Sequence, residues 1–157
     1  LKTVDDLTLR EKFYTIKPSG STSYYDAVIE MITVVKSHYT DNDEVVICIM
    51  TDGIDNTSRY SRRDMVNMVK EVKSMGWMIV MIGTNDIDTE NLGEEYGIGR
   101  GASIGMCNNV ASAGAAFRAL SSGVSRVRGG LAKSIHFTEL ERQSTQNPPD
   151  PPQSSST

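Results

Sequence analysis

Asp52 is the residue of this chain whose setting most invites chemistry. It follows the unbroken apolar run Val45-Val46-Ile47-Cys48-Ile49-Met50 through a single threonine, Thr51, and is followed by Gly53. A run apolar at every position reads as a buried parallel strand covered on both faces. Its carboxyl end is the edge at which open α/β sheets bind ligands. The plainer reading of Asp52-Gly53 is an ordinary turn after a strand. A second polar cluster, Pro18-Ser19-Gly20-Ser21-Thr22-Ser23-Tyr24-Tyr25-Asp26-Ala27, stands upstream ahead of an amphipathic stretch. Asp55, three residues beyond Asp52, reads as a loop or helix-start acid.

Other candidate groups carry less. Gly101-Ala102-Ser103-Ile104-Gly105 matches the nucleophile-elbow pattern, which needs a preceding strand and then an acid and a histidine. No Asp or Glu lies between Ile104 and Ile135, so His136 has no acid ahead of it, and Ser103 reads as a strand residue. His38 and His136 lack metal-ligand spacing to a partner. Gly97-Ile98-Gly99-Arg100-Gly101 does not follow a strand as a dinucleotide loop requires. Two cysteines are too few for a disulfide framework, and Cys48 reads as a small core residue. A reducing, cytoplasmic setting is the expectation that follows.

The elements that must position Asp52 alternate. From Ser23 the pattern is helical, with Tyr25, Val28, Ile29, Ile32, Val35 and Tyr39 on one face and Ser23 with Asp26 as a capping box. Thr40-Asp41-Asn42-Asp43 breaks it before the first strand. Ser61 and Asp64 offer another capping box for a helix with Met65, Met68, Val69, Val72 and Met75 inward, ended by Gly76. Trp77 to Ile82 is a second buried strand, leading to the polar loop Thr84-Asn85-Asp86. A short helix over 89–96, a strand near 102–106 and a last helix over about 108–124, with Val110, Ala113, Phe117 and Leu120 inward, complete the order. Helix and strand in alternation imply a parallel sheet with right-handed crossovers. Lys12-Phe13-Tyr14-Thr15-Ile16-Lys17 could be a short strand or an extended lead-in.

The 157 residues suit one domain with an ordinary core. Apolar content of 38%, charged content of 23% and a formal charge of −4 argue against a general nucleic-acid or membrane-surface binder. The eight methionines fall mostly on inward faces as core filler. The start at Leu1 reads as a truncation, and the composition of residues 147–157 reads as a disordered Pro/Ser-rich tail.

In order and spacing, two motifs resemble those of the von Willebrand factor A domain, bacterial and phage branch. Gly20-Ser21-Thr22 with Tyr24-Tyr25-Asp26-Ala27 is similar to the family's Gly-x-Thr-x-Leu-Tyr-Asp-Ala stretch, and Thr51-Asp52-Gly53 to its strand-Thr-Asp-Gly motif. Asn56 with Thr57-Ser58-Arg59-Tyr60, and Gly76-Trp77, strengthen the likeness, which spans roughly residues 5–126. The family's first motif, Asp-x-Ser-x-Ser, occurs nowhere in the sequence. The resemblance implies a Rossmann-like three-layer α/β/α fold, mainly parallel and lacking its first strands. It divides the chain into a lead-in (1–18), a partial A-type domain (19–126), a C-terminal extension (127–146) and the tail (147–157).

The resemblance further implies a non-catalytic protein-binding module whose Mg²⁺ adhesion site engages an acidic residue of a partner protein. Thr22 would be a direct metal ligand and Asp52 a direct or water-bridged one. With the first motif absent, the ion should bind weakly or not at all here. Arg59, Arg62 and Arg63, beside the site, read either as an attraction for the acidic partner or as a solvated helix start. The missing first strand would leave the Val45–Met50 edge open unless the segment before Ser19 covers it. A Mg²⁺-dependent phosphatase of the haloacid dehalogenase kind also puts aspartate after a buried strand, but its Asp-x-Asp spacing differs from that of Asp52 and Asp55. A structural subunit with a vestigial site is the third reading.

Overall fold

A computed structural model describes residues 22–84 and 87–148. The lead-in, residues 19–21 of the polar cluster, Asn85, Asp86 and the tail from residue 149 lie outside the described residues, and so do the expectations placed on them. Helix α1 (Tyr24–His38) precedes strand β1 (Val46–Thr51), and α2 (Arg62–Ser74) leads to β2 (Met78–Thr84). Next come α3 (Thr89–Glu95), a 3₁₀ turn (Arg100–Ala102) and β3 (Ser103–Met106), followed by α4 (Val110–Arg128) and α5 (Glu139–Gln146). This is an α/β arrangement around a three-stranded parallel sheet of order β1-β2-β3. Val46 lies opposite Met78 and Thr51 opposite Gly83, while Met81 lies opposite Ser103 and Thr84 opposite Met106.

The run from Trp77 is explained by the central strand, whereas β1, expected to be covered on both faces, is buried only at Ile47 and Ile49 and leaves Met50 exposed. Residues Ile79 to Thr84 are all buried, so both faces of β2 are covered, and alternation has no solvent side to serve. Met65, Val69 and Val72 of α2 are fully buried in the core. Each such side chain stabilises the fold by ~1.5–3 kcal/mol relative to exposure. The Ser61–Asp64 capping box starts α2 as the sequence indicates. Gly76, at φ 87°, ends it with Trp77 N–H donating to Val72 and Gly76 N–H to Lys73. That pair of bonds is the Schellman closure, which needs a left-handed residue at this point.

Three inward assignments are corrected. Met75 is exposed, because it caps α2 outside the helix and its side chain leaves the buried stripe. Cys48 is half-buried and borders open space. On α4 the buried face is Ser112, Ala115, Ala116, Ala119 and Gly123, while Val110 is 91% and Phe117 48% exposed. Small residues at that spacing let α4 approach closely: a Cβ on Gly123 would lie 2.7 Å from Ile135 Cγ2. Hydrophobicity alone selects the face with the larger side chains, which has no room to pack there.

The segment beyond α4 also folds back. Thr138 and Glu141 form a capping box for α5, and Glu141 accepts two bonds from Arg126, at 2.7 and 3.1 Å. Arg142 Nη1 donates to Ser103 O (2.7 Å), and Thr145 Oγ1 to Gly105 O (2.7 Å), so α5 binds the backbone of β3. No helix among the described residues is long and apolar enough to cross a membrane.

Gly93 tests the packing of α3 on β3, since an added Cβ would lie 2.7 Å from the buried Ser103 Cβ. We expect Gly93→Ala to destabilise by about 1–3 kcal/mol despite its better helix propensity. Phe117→Ala should stay within about 0.5 kcal/mol, as surface changes do. Urea melts of the two variants check both.

Candidate site at the carboxyl end of the sheet

Thr51 ends β1 in a tight turn. Its Oγ1 donates to Gly53 O (2.7 Å) and accepts from Gly53 N (3.2 Å), which leaves Asp52 exposed at the carboxyl end of the strand. Among the described residues the Asp52 carboxylate makes no hydrogen bond or ion pair. A shallow pocket of about 230 Å³ lies there, lined by Met50, Thr51, Asp52, Ile82, Thr84 and Met106. Thr84 is 5% exposed, and its hydroxyl finds no partner among the described residues. Asp52 and Thr84 thus share one end of the sheet, as the paired parallel runs require.

The loop after β1 is clasped to the start of α1 by two carboxylates working in opposite directions. The first N–H groups of a helix have no partner within it. Ser23 was expected to supply one in a box with Asp26, but it makes no side-chain cap; its hydroxyl pairs with Thr57 Oγ1 (2.9 Å) instead. Asp55 takes that role from across the chain, accepting from Tyr25 N (3.2 Å), while Ser58 Oγ accepts from Asp26 N (3.1 Å). The Asp26 side chain reaches the other way, accepting from Arg59 N (2.9 Å), Tyr60 N (3.0 Å) and Arg59 Nε (2.9 Å). With its carboxylate so engaged, Asp26 has nothing left to complete a box with Ser23.

This clasp brings Thr22 to the Asp52 loop. Thr22 N donates to Asn56 Oδ1 (2.8 Å), and Asn56 N donates to Thr22 O (3.0 Å). Behind it, Tyr24, Tyr25 and Tyr96 form a ring cluster with centroids 5.3–5.9 Å apart, seating α1 on the end of α3. Burial pushes the Tyr24 and Tyr96 hydroxyls well above the usual tyrosine range. The Tyr60 N–H, with Arg59, holds the Asp26 carboxyl below the usual carboxylate range against the opposing effect of desolvation. Desolvation also opposes the Asp55 charge, but the Ser58 hydroxyl and the N–H groups of Tyr25, Ser58 and Tyr24 outweigh it.

The three arginines have different surroundings. Arg59 pairs with Asp26 (2.9 Å) and Glu30 (2.8 Å), and Arg62 with Glu95 (2.6 Å). Arg62 and Arg63 stand in the first turn of α2 and border an open groove of about 530 Å³ with Val66, Asn67, Lys70 and Glu95. Ser103 is fully buried at the head of β3, its Oγ donating to Gly99 O (2.9 Å), which is the ordinary strand role expected.

Thr22 and Asp52 match a Mg²⁺ site in kind, as hydroxyl and carboxylate oxygens, but not in number. Among the described residues, no three His, Cys, Asp or Glu side chains gather where a metal could sit. Compared with protein-family models, curated proteins and solved structures, the chain matches none. Sequence reading missed the Asp26–Asp55 clasp, because its bonds join residues about thirty positions apart; only the Asp26 and Asp55 carboxylates flanking two loops hinted at it.

Both clasp carboxyls bind protons less tightly folded than unfolded. Their stabilisation is complete above the unfolded value of about 4 and is lost as pH falls through the lower folded values. Urea melts between neutral pH and the acid limb should therefore show stability falling below about pH 4. Asp26→Asn should lower stability at neutral pH and flatten that limb, and an unchanged limb would contradict the assignment.

Proposed function

We propose that this chain is part of a von Willebrand A-type protein-binding module. It holds an acidic side chain of a partner protein at the carboxyl end of its sheet and catalyses no reaction. The observation that carries this reading is the two-way pairing of Thr22 with Asn56, which ties the Thr22 loop to the loop that Asp52 opens. The parallel sheet and the exposed Asp52 after β1 agree with it.

Bound Mg²⁺ would supply a hard centre with a position open to a carboxylate oxygen. In this reading the Thr22 hydroxyl is a direct ligand and Asp52 a direct or water-bridged one. The family's remaining donors, Asp-x-Ser-x-Ser, have no counterpart in this sequence. In this reading Arg62 and Arg63, which border an open groove at the start of α2, would steer an acidic partner, Arg62 being paired with Glu95. The phosphatase reading gains nothing from Asp55, whose oxygens cap α1 and bind Ser58.

Two donors with one charge are meagre for an ion that dehydrates reluctantly. Millimolar Mg²⁺ should barely move the melting temperature of this chain, since stabilisation requires appreciable binding to the folded state. When an Asp-x-Ser-x-Ser loop is supplied ahead of it, calorimetry should detect Mg²⁺ and, through it, an acidic peptide. Asp52→Ala should then abolish that binding, and Ser103→Ala should leave it intact. Tight Mg²⁺ binding that is indifferent to Asp52→Ala would sink the proposal.

A further inference from the structure

The amino end of the sheet holds a second cavity, opposite the end that carries Asp52 and sharing no residue with it. It measures about 130 Å³ and lies where α2, β2 and the links before β3 and α5 meet. Its buried members Trp77, Ile79, Ile98 and Ile135 make the floor, and the exposed Lys73, Ser134 and His136 stand at the mouth. Local turns build it. The Gly76 closure sets Trp77 directly after α2, and Tyr39 packs against the indole with ring centroids 5.3 Å apart. Phe137 N donates to Gly101 O (2.8 Å) and Arg126 Nη2 to His136 O (2.9 Å), which fixes the link beyond α4. Gly101 lets the imidazole approach, since a Cβ there would lie 3.1 Å from His136 Cδ2.

The cavity is rich in donors and short of acceptors. Trp77 is 3% exposed, and its indole N–H has no acceptor among the described residues. Indole is a donor only, and a buried N–H without an acceptor is costly. Lys73 stands in the last turn of α2 and gives two N–H groups to Gly97 O (2.9 Å) and Ile98 O (3.0 Å), which leaves its third. Among the described residues it makes no ion pair, and no Asp or Glu lines the cavity.

We propose that this cavity binds a small organic anion, a carboxylate on a short aliphatic body, with its oxygens toward the Trp77 N–H and the Lys73 ammonium. Size sets the class. A single water needs only ~10–15 Å³ of such space, whereas drug-sized ligands occupy ~300–1,000 Å³. Charge sets the head group, because a carboxylate accepts several charge-assisted bonds and brings no donor of its own. The isoleucine floor sets the body, because an inorganic anion would give up its hydration against apolar walls.

Trp77 is the only tryptophan of the chain, so its indole N–H resonance reports on the cavity without a label. Butanoate is the probe, titrated into the full chain at constant ionic strength beside 1-butanol and inorganic phosphate. The expected result is a saturating shift of the indole N–H with butanoate, a response to 1-butanol at least about tenfold weaker and none to phosphate. Lys73→Met should weaken butanoate binding by at least about tenfold while the Val80 and Ile82 amides stay protected. Four results would overturn the proposal: no saturating response to butanoate, as when water alone meets the indole; equal affinity for 1-butanol; a stronger response to phosphate; or butanoate affinity unchanged in Lys73→Met. If that variant unfolds, having lost its bonds to Gly97 and Ile98, Overhauser contacts between the butanoate chain and the Trp77 indole in the unaltered protein decide. Their presence supports the site and their absence overturns it.

Discussion

The exchange of hydrogen bonds between Asp26 and Asp55 is the constraint on which the geometry of the sheet's carboxyl end depends. Each carboxylate leaves its own segment and satisfies backbone N–H groups of the other: Asp55 those at the start of α1, Asp26 those of Arg59 and Tyr60. Charge-assisted bonds of this kind are stronger than neutral ones, and a buried N–H left without an acceptor is costly. Neither segment has its own solution. Ser23 does not cap α1, and the loop from Asp52 to Tyr60 contains no helix or strand to satisfy it. Held together, they bring Thr22 against Asn56 and leave Asp52 exposed.

The sheet beneath provides a fixed base for that loop. The β1–β2 register sets Thr51 opposite Gly83, so the chain leaves β1 beside the end of β2, where Thr84 is buried. Stability is unevenly distributed around this base. β2 is enclosed on both faces and both edges, and β3 has α5 bound along its carbonyls, whereas β1 pairs with no strand but β2 among the described residues.

Patterns that depend on near neighbours were legible in the sequence. The run that becomes β2, the Ser61–Asp64 box and the stop at Gly76 each depend on residues within one turn or on burial common to a whole run. What depends on approach distance or on distant partners was not. The inward face of α4 is set by how closely Ala116 and Gly123 let it pack, so Val110 and Phe117 were misplaced. Asp26 reads locally as a box partner for Ser23, and only the loop thirty residues later explains why it is not. At the site, Asp52 and Thr22 were singled out from their motifs, but the pair that joins their loops, Thr22 with Asn56, belongs to the tertiary structure.

The central claim is that the carboxylate clasp holds the Thr22 loop to the Asp52 loop. The most direct measurement is the exchange rate of the Asn56 amide, which donates to Thr22 O at 3.0 Å, in the unaltered chain and in Asp26→Asn at neutral pH. The account predicts that the Asn56, Arg59 and Tyr60 amides all exchange faster in the variant while Val80 and Ile82 of β2 keep their protection. An Asn56 amide that exchanges at the same rate in both proteins would show that the two loops are joined without the clasp.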